Sequence, residues 1–197
     1  MTGASPTLHS VVVFDTPRLV VRPWTTADSD IDRLFDIYSR WEVARWLGSV
    51  PKPLESRDQA YGVVDRWSAR CTSDGRLGIW AVEVRGTGMV AGTVLLVHLP
   101  GPDGLPGSTE VEVGWHFHPD SWGNGYATEA GGGAIEHGFA HGGLEEIYAV
   151  VRPGNEPSLA VCRRLGMTPL GRTDRWYGVE LEAFRIRATD AATTGRK

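Results

Sequence analysis

Residues 109–130 read TEVEVGWHFHPDSWGNGYATEA, and no other stretch of the chain carries as much structural information. Its first ten residues alternate without a break. Val111, Val113, Trp115 and Phe117 fall on one face; Glu110, Glu112, Gly114, His116 and His118 fall on the other. Period two predicts a strand over 109–118 with one packed and one polar face. Gly123 and Gly125 then mark a turn, and small residues from 126 to 141 predict a helix. Strand, glycine turn and helix, in that order, suit a phosphate. Free N–H groups at a helix start point outward, the macrodipole adds partial positive charge, and glycine admits a ligand close to the backbone. An ordinary glycine turn shares the G-x-G signature, so the motif alone is weak. Two neighbours strengthen it. Gly131-Gly132-Gly133 sits inside the predicted helix, where each glycine costs about 1 kcal/mol relative to alanine; such a helix needs close approach to a sheet or a ligand. The polar-faced strand also runs directly into the turn. A dinucleotide fingerprint is excluded, because Thr128 stands where its third glycine belongs and too few residues follow for a doubly wound sheet.

Upstream, Arg18-Leu19-Val20-Val21-Arg22 predicts a strand within 14–24. Thr25 or Thr26 is a candidate cap for a helix with Ile31, Leu34, Phe35 and Tyr38 at helical spacing. Ser56-Arg57-Asp58-Gln59 reads as a capping box ahead of the stripe Ala60, Val64, Trp67 and Cys71. Pro51 and Pro53 forbid a continuous helix between the two. Strands over 77–85 and 89–99 are joined by Gly86-Thr87-Gly88. Downstream come a strand over 145–152, then a helix capped by Asn155, with Pro157 in its first turn and Gly166 ending it. Two last strands, 167–172 and 175–187, complete an α+β order.

The 197 residues fit one domain, expected over 10–188, with frayed termini at 1–9 and 189–197. A hydrophobic share of 41% and a net charge of −4 are those of a globular protein without a nucleic-acid-binding basic block. No segment reaches the ~20 apolar residues of a membrane span, and residues 1–10 lack the pattern of a signal peptide. Two cysteines, Cys71 and Cys162, far apart in the chain, argue against a disulfide framework and favour a cytoplasmic location.

Three segments together resemble the GNAT superfamily of acyl-CoA N-acyltransferases, in particular its RimJ/RimL-like branch of ribosomal-protein acetyltransferases. They are Thr16 to Trp24, Glu112 to Ala130, and Asn155-Glu156-Pro157-Ser158 with Arg164-Leu165-Gly166-Met167. The resemblance implies a GNAT fold: a mixed sheet of about seven strands, splayed between the fourth (109–118) and fifth (145–152), with about four flanking helices. It implies acetyl-CoA in the splay, its pantetheine arm on the backbone of Trp115, His116 and Phe117. The pyrophosphate would lie on N–H groups from Trp122, Gly123, Asn124, Gly125, Tyr126, Ala127 and Thr128, and Asn155 would bond the pantetheine arm. The acceptor implied is a primary amine, either a protein N-terminus or a small molecule. A homodimer is compatible with the sequence, and no membrane or direct nucleic-acid partner is expected. Two departures stand out. Trp122 replaces the Gln or Arg common at the start of the turn motif, and Cys162 occupies the place of the tyrosine that protonates the departing thiolate in many members.

Direct attack of an amine on a thioester needs a neutral amine, a stabilised oxyanion and a proton for the thiolate. An N-terminal amine, with a pKa of about 7.7–8.0, needs less help than lysine at about 10.4. Glu112, on the polar strand face two residues before Gly114, is the first candidate base, with Glu110 and His116 as substitutes; its bland alternative is a solvated or arginine-paired carboxylate. A backbone N–H near Trp115 is the candidate oxyanion donor. The resemblance puts Ser158 near the sulfur as proton or hydrogen-bond donor, whereas Cys162 reads better as a small core residue. His116-x-His118 and His137-xxx-His141 each offer only two imidazoles, too few for a zinc site, so no metal is expected. Trp67, Trp80 and Trp115 read as core; Trp41 and Trp46, in the proline-bounded segment, read as acceptor contacts. A non-catalytic acyl-CoA-binding module of the same fold, or a transferase of a larger acyl group such as succinyl, stays open at this point.

Overall fold

The computed structural model describes residues 12–190, so the expected frayed ends lie outside the described residues over 1–9 and 191–197. Its centre is a hairpin, β3 (Gly78–Val84) and β4 (Val90–His98), in which nearly every residue is buried. A strand covered on both faces reads as a continuous apolar run, as Val94-Leu95-Leu96-Val97 does. Around it lie β1 (Phe14–Asp15), β2 (Leu19–Pro23), β5 (Val111–Phe117), β6 (Glu146–Val151), β7 (Thr168–Thr173) and β8 (Leu181–Arg187). The sheet order is β1-β2-β3-β4-β5-β6-β8-β7. All neighbours are antiparallel except β5 and β6, which run parallel.

Alternation along β3 assigns the two faces. Trp80 and Val82 join Val94 and Leu96 in a core covered by Ala130, Ala134 and Ile135 of α4 (Tyr126–Ala140) and by Leu159 of α5 (Glu156–Arg164). Ala81 points the other way, to Ile31, Leu34 and Ile37 of α1 (Asp28–Tyr38) and to Ala60, Val63 and Val64 of α3 (Asp58–Ser68). One turn of helix, α2 (Trp41–Ala44), lies between α1 and α3, and a 3-10 turn covers Pro119–Ser121. No helix among the described residues is long and apolar enough to cross a membrane.

The α+β class and the parted mixed sheet agree with expectation; the element counts, taken among the described residues, need correction. Eight strands replace seven because the opening strand breaks in two. The amide of Leu19 bonds Thr16 Oγ1 at 3.1 Å and that of Thr16 bonds the Leu19 carbonyl at 2.9 Å, folding the Thr16–Leu19 segment into a turn. Six helices replace four, the additions being α2 and the 3-10 turn.

Neither side-chain N-cap predicted for α1 and α3 holds. Ala27, not Thr25 or Thr26, precedes α1, because Thr25 is drawn to Asp30: its amide and its hydroxyl both donate to Oδ2 at 2.9 Å. Asp30 in turn forms a buried bidentate pair with Arg22 at 2.8 and 2.9 Å. Burial opposes ionisation of Asp30, but the Arg22 hydrogen bonds and charge outweigh it and hold the carboxyl below the usual range. At α3, Arg57 is the cap residue and Ser56 makes no side-chain cap; Gln59 still reaches back, accepting from the Glu55 amide at 2.8 Å. The last strand is shorter than expected, starting at Leu181, because residues 174–180 form a turn.

Candidate active site

Glu112 is the last point at which β5 and β6 touch in register. Its only partner there is Tyr148, whereas β4 pairs with β5 from Val111 to Phe117. The edge of residues 114–117 that faces β6 therefore has no strand partner among the described residues, and the parting opens a cleft of ≈ 950 Å³. A parallel strand pair that separates exposes unspent N–H and C=O groups, which is a template for an extended ligand.

Residues Trp115, His116 and Phe117 line this cleft, as do Trp122, Gly123, Gly125, Tyr126, Ala127 and Thr128. Gly123 and Gly125 both have φ of 77°, a left-handed conformation that explains why glycine stands at each. Gly125 caps α4 without any side-chain hydrogen bond, so the first amides of a 15-residue helix remain available. Asn124 is exposed and its side chain donates to the Trp122 carbonyl at 3.2 Å, holding the turn rather than facing the cleft. The indole Nε1 of Trp122 donates to the Phe117 carbonyl at 2.8 Å, tying the turn to the end of β5. From the opening segment, Arg18 reaches the turn as well, donating to the Asn124 carbonyl at 3.0 Å and pairing with Glu129 at 2.6 Å. Of the three consecutive helical glycines, Gly131 and Gly133 serve packing. A Cβ on Gly133 would meet the Phe14 ring at 2.8 Å, and one on Gly131 would meet Leu165 and Trp115 at 3.2 Å.

At the closed end of the cleft Glu112 is 6% exposed. Burial pushes its carboxyl up to about 7, against a hydrogen bond from Tyr177 and the charge of Arg70, which both pull it down. The Tyr177 hydroxyl donates to Glu112 Oε1, and its own ionisation is moved upward, chiefly by burial. Tyr177 has a φ of 61°, unusual for a residue with a Cβ, and is held by its neighbour. Trp176 is buried beside Tyr148, with ring centres 5.5 Å apart, and its Nε1 donates to Glu110 Oε2 at 3.1 Å. Glu110 is thereby committed to Trp176 and to Arg175, 2.9 Å away. His116 also faces the cleft. Its Nδ1 is 3.1 Å from the Tyr38 hydroxyl, which donates to Thr93 at 2.7 Å; burial lowers the imidazole to about 4, so it is neutral at pH 7.

On the opposite wall Asn155 caps α5, its Oδ1 accepting from the Ser158 amide at 3.4 Å, and both residues line the cleft. Cys162 does not. It is fully buried in the main core, and burial raises its thiol to about 12. Trp46 lines the cleft; Trp41 is 54% exposed and lies outside it. His118, also fully buried, turns to Asp36 at 3.0 Å, away from His116, while His137 stacks on Phe14. No three His, Cys, Asp or Glu side chains gather around one point among the described residues.

Tyr177 is the residue that sequence reasoning missed. Reading 175–187 as one strand hid it; the aromatic pair Trp176-Tyr177 before Gly178 is the signal that marks a turn there.

Comparison with known proteins agrees with this architecture. Over 160 residues the chain is 30% identical to the uncharacterized N-acetyltransferase YoaA of Bacillus subtilis, covering 81% of this chain and 84% of that one. An acetyltransferase from Agrobacterium tumefaciens superposes with a TM-score of 0.68 at 26% identity, over 94% of this chain and 99% of the other. RimJ of Mycobacterium smegmatis, solved with a CoA disulfide, has the same fold at a TM-score of 0.69 and 18% identity, over 90% of each chain. Residues 18–168 match the acetyltransferase (GNAT) domain family, from the Arg18 that clips the glycine turn to the start of β7, and the chain belongs to that family of acyl-CoA-dependent acetyltransferases.

Proposed function

We propose that this protein transfers an acetyl group from acetyl-CoA to a primary amine, a protein N-terminus or a small molecule, by direct attack within the β5–β6 cleft. One observation carries the reading: β5 parts from β6 immediately beyond the buried carboxyl of Glu112, which burial pushes up toward about 7. The described part of residues 10–188 acts as one catalytic unit in this reading.

The pantetheine arm of acetyl-CoA would take the free edge of Trp115, His116 and Phe117 as a missing strand. Its pyrophosphate would take the turn from Trp122 to Thr128, where the uncapped start of α4 favours an anion. The Nδ2 of Asn155 is left for the pantetheine arm while Oδ1 caps α5. Glu112 takes a proton from the incoming ammonium, directly or through water. A base with a pKa near 7 is well matched to an amine with a pKa of about 8. The neutral amine then attacks the thioester carbonyl; the N–C bond forms and the C–S bond breaks. The nitrogen releases its second proton as the amide forms, and the thiolate takes up that proton directly or through water, while Glu112 returns its own to solvent. Ser158 donates a hydrogen bond to that sulfur, a weaker service than full proton transfer.

Titration calorimetry with acetyl-CoA, followed by thiol-release assays across a panel of amines, tests the proposal. Binding, with thiol release that depends on an amine and is lost in Glu112→Gln, is the expected result. No heat with acetyl-CoA would falsify the placement of the cofactor, and comparison with succinyl-CoA reads the acyl preference.

A further inference from the structure

The cleft is cationic in a protein whose net charge is −4. Lys52, Arg66, Arg70, Arg152 and Arg164 line it, against Glu42 and the buried Glu112. Two of these five cations are tied to other groups of the protein. Lys52 pairs with Glu55 at 3.5 Å, and Arg152 donates to the carbonyls of Gly48 and Ser49. Arg164 sits on α5 with Ser158, on the wall assigned above to CoA.

Arg66 and Arg70 are different. They stand four residues apart at the C-terminal end of α3, both exposed, and neither guanidinium has a hydrogen-bond or ion-pair partner among the described residues. Arg22, Arg57 and Arg85, by contrast, are each tied to carboxylates. A helix C-terminus favours a basic residue, which accounts for Arg66 in the last turn. It does not account for a second one, past the helix end, also directed to the cleft. The charge of Arg70 reaches both Glu112 and Tyr177, so an amine held at Glu112 lies within its field.

Resting on the function proposed above, we propose that Arg66 and Arg70 form an acceptor subsite for an anionic group, so that the preferred acceptor is an amine bearing a carboxylate or phosphate a few atoms away. A free α-amino acid and a peptide with an acidic residue near its N-terminus both present that chemistry. Two cations select twice. They attract the anion, and they disfavour the ammonium form of the amine, which must be neutral to attack. They also reject polyamines and other multiply cationic acceptors.

The test is a competition of matched acceptors: a free α-amino acid against its α-carboxamide, an acidic-second-residue peptide against its amide counterpart, and a polyamine. The wild type should favour the acidic member of each pair by at least about tenfold in kcat/KM, with the advantage shrinking as salt rises. Arg66→Gln/Arg70→Gln should bring each ratio to about one, and Arg70→Glu should shift preference toward the cationic acceptor. The amino-acid and peptide arms separate the two sources of the anion. If acetyl-CoA binds but acidic and neutral acceptors are used equally, or the double variant keeps the wild-type ratio, the subsite is wrong and the transferase reading survives. If acetyl-CoA does not bind, the transferase reading fails and this inference with it.

Discussion

The hydroxyl of Tyr177 donates a hydrogen bond to Oε1 of Glu112 across 65 residues of sequence. It joins the turn before β8 to the point where β5 and β6 part, and it favours the ionised form of the candidate base. Burial raises the Glu112 carboxyl, and the Tyr177 bond is the larger of the two influences opposing that rise.

The pH profile should therefore report this pair. With Glu112 as the base, kcat/KM rises with pH through about 7 and then levels. Tyr177→Phe removes a bond that favours the carboxylate, so the inflection should move to higher pH while kcat at the plateau falls less than tenfold. An inflection that stays in place shows that Tyr177 does not tune the base. Acceptors of different amine pKa distinguish the enzyme's inflection from the substrate's.

Glu112 should also carry a stability cost. Its folded pKa of about 7 exceeds the ordinary value of 4.5, so the folded state binds the extra proton between those values. Stability from this group is present below pH 4.5, declines as pH rises to about 7, and stays low above it. A tenfold change in acidity corresponds to about 1.4 kcal/mol, so the whole cost approaches ~3 kcal/mol. Glu112→Gln keeps an oxygen for Tyr177 and removes the charge. At pH 8 it should melt several degrees higher than the wild type, with turnover reduced at least about a hundredfold. Near pH 4 the difference in melting temperature should vanish, which scanning calorimetry at the two pH values measures.

Local pattern made much of this legible in advance. Strict alternation at 109–118 fixed which residues of β5 face the core, and glycine spacing fixed the turn, because both are short-range consequences of backbone geometry. Asn155, Ser158 and the turn residues other than Asn124 line one cleft, a grouping that the family resemblance, and not the spacing alone, implied. Two kinds of feature were hidden. Thr25 is spent on Asp30 because a buried Arg22–Asp30 pair, formed between β2 and α1, recruits it; capping propensity cannot register that competition. Tyr177 acts through a contact with a residue far away in sequence, and a left-handed φ on a tyrosine gives no compositional trace.

Cys162 stands where the family resemblance implies a tyrosine, but it does not line the cleft. It is sealed in the core, with a thiol raised to about 12. Cys162→Ala should leave kcat within about twofold while lowering stability by ~1 kcal/mol through the lost sulfur contacts. Ser158→Ala should do the reverse, lowering kcat by about tenfold with little change in melting, since its amide, not its hydroxyl, completes the Asn155 cap. Equal kcat for Ser158→Ala and wild type would remove the serine from the leaving-group step.

The glycine turn is held from two sides, and the two ties should fail differently. Gly125 sits at φ 77°, so Gly125→Ala forces a Cβ into the left-handed region at a cost of about 1–2 kcal/mol. Space is not the obstacle, since the added atom would meet only the tip of the Arg18 side chain at 3.4 Å. The strain should distort the start of α4, weakening acetyl-CoA at least tenfold by calorimetry and lowering the melting temperature. Arg18→Ala removes the clip to Asn124 and Glu129 instead. That ion pair is half exposed on the arginine side and worth less than about 1 kcal/mol, so melting should hardly change. Acetyl-CoA affinity should still fall by a few fold, because an untied turn must be ordered when the pyrophosphate arrives. If Arg18→Ala leaves that affinity unchanged, the turn is rigid without its clip, and Gly125 with the Trp122–Phe117 bond is enough to shape it.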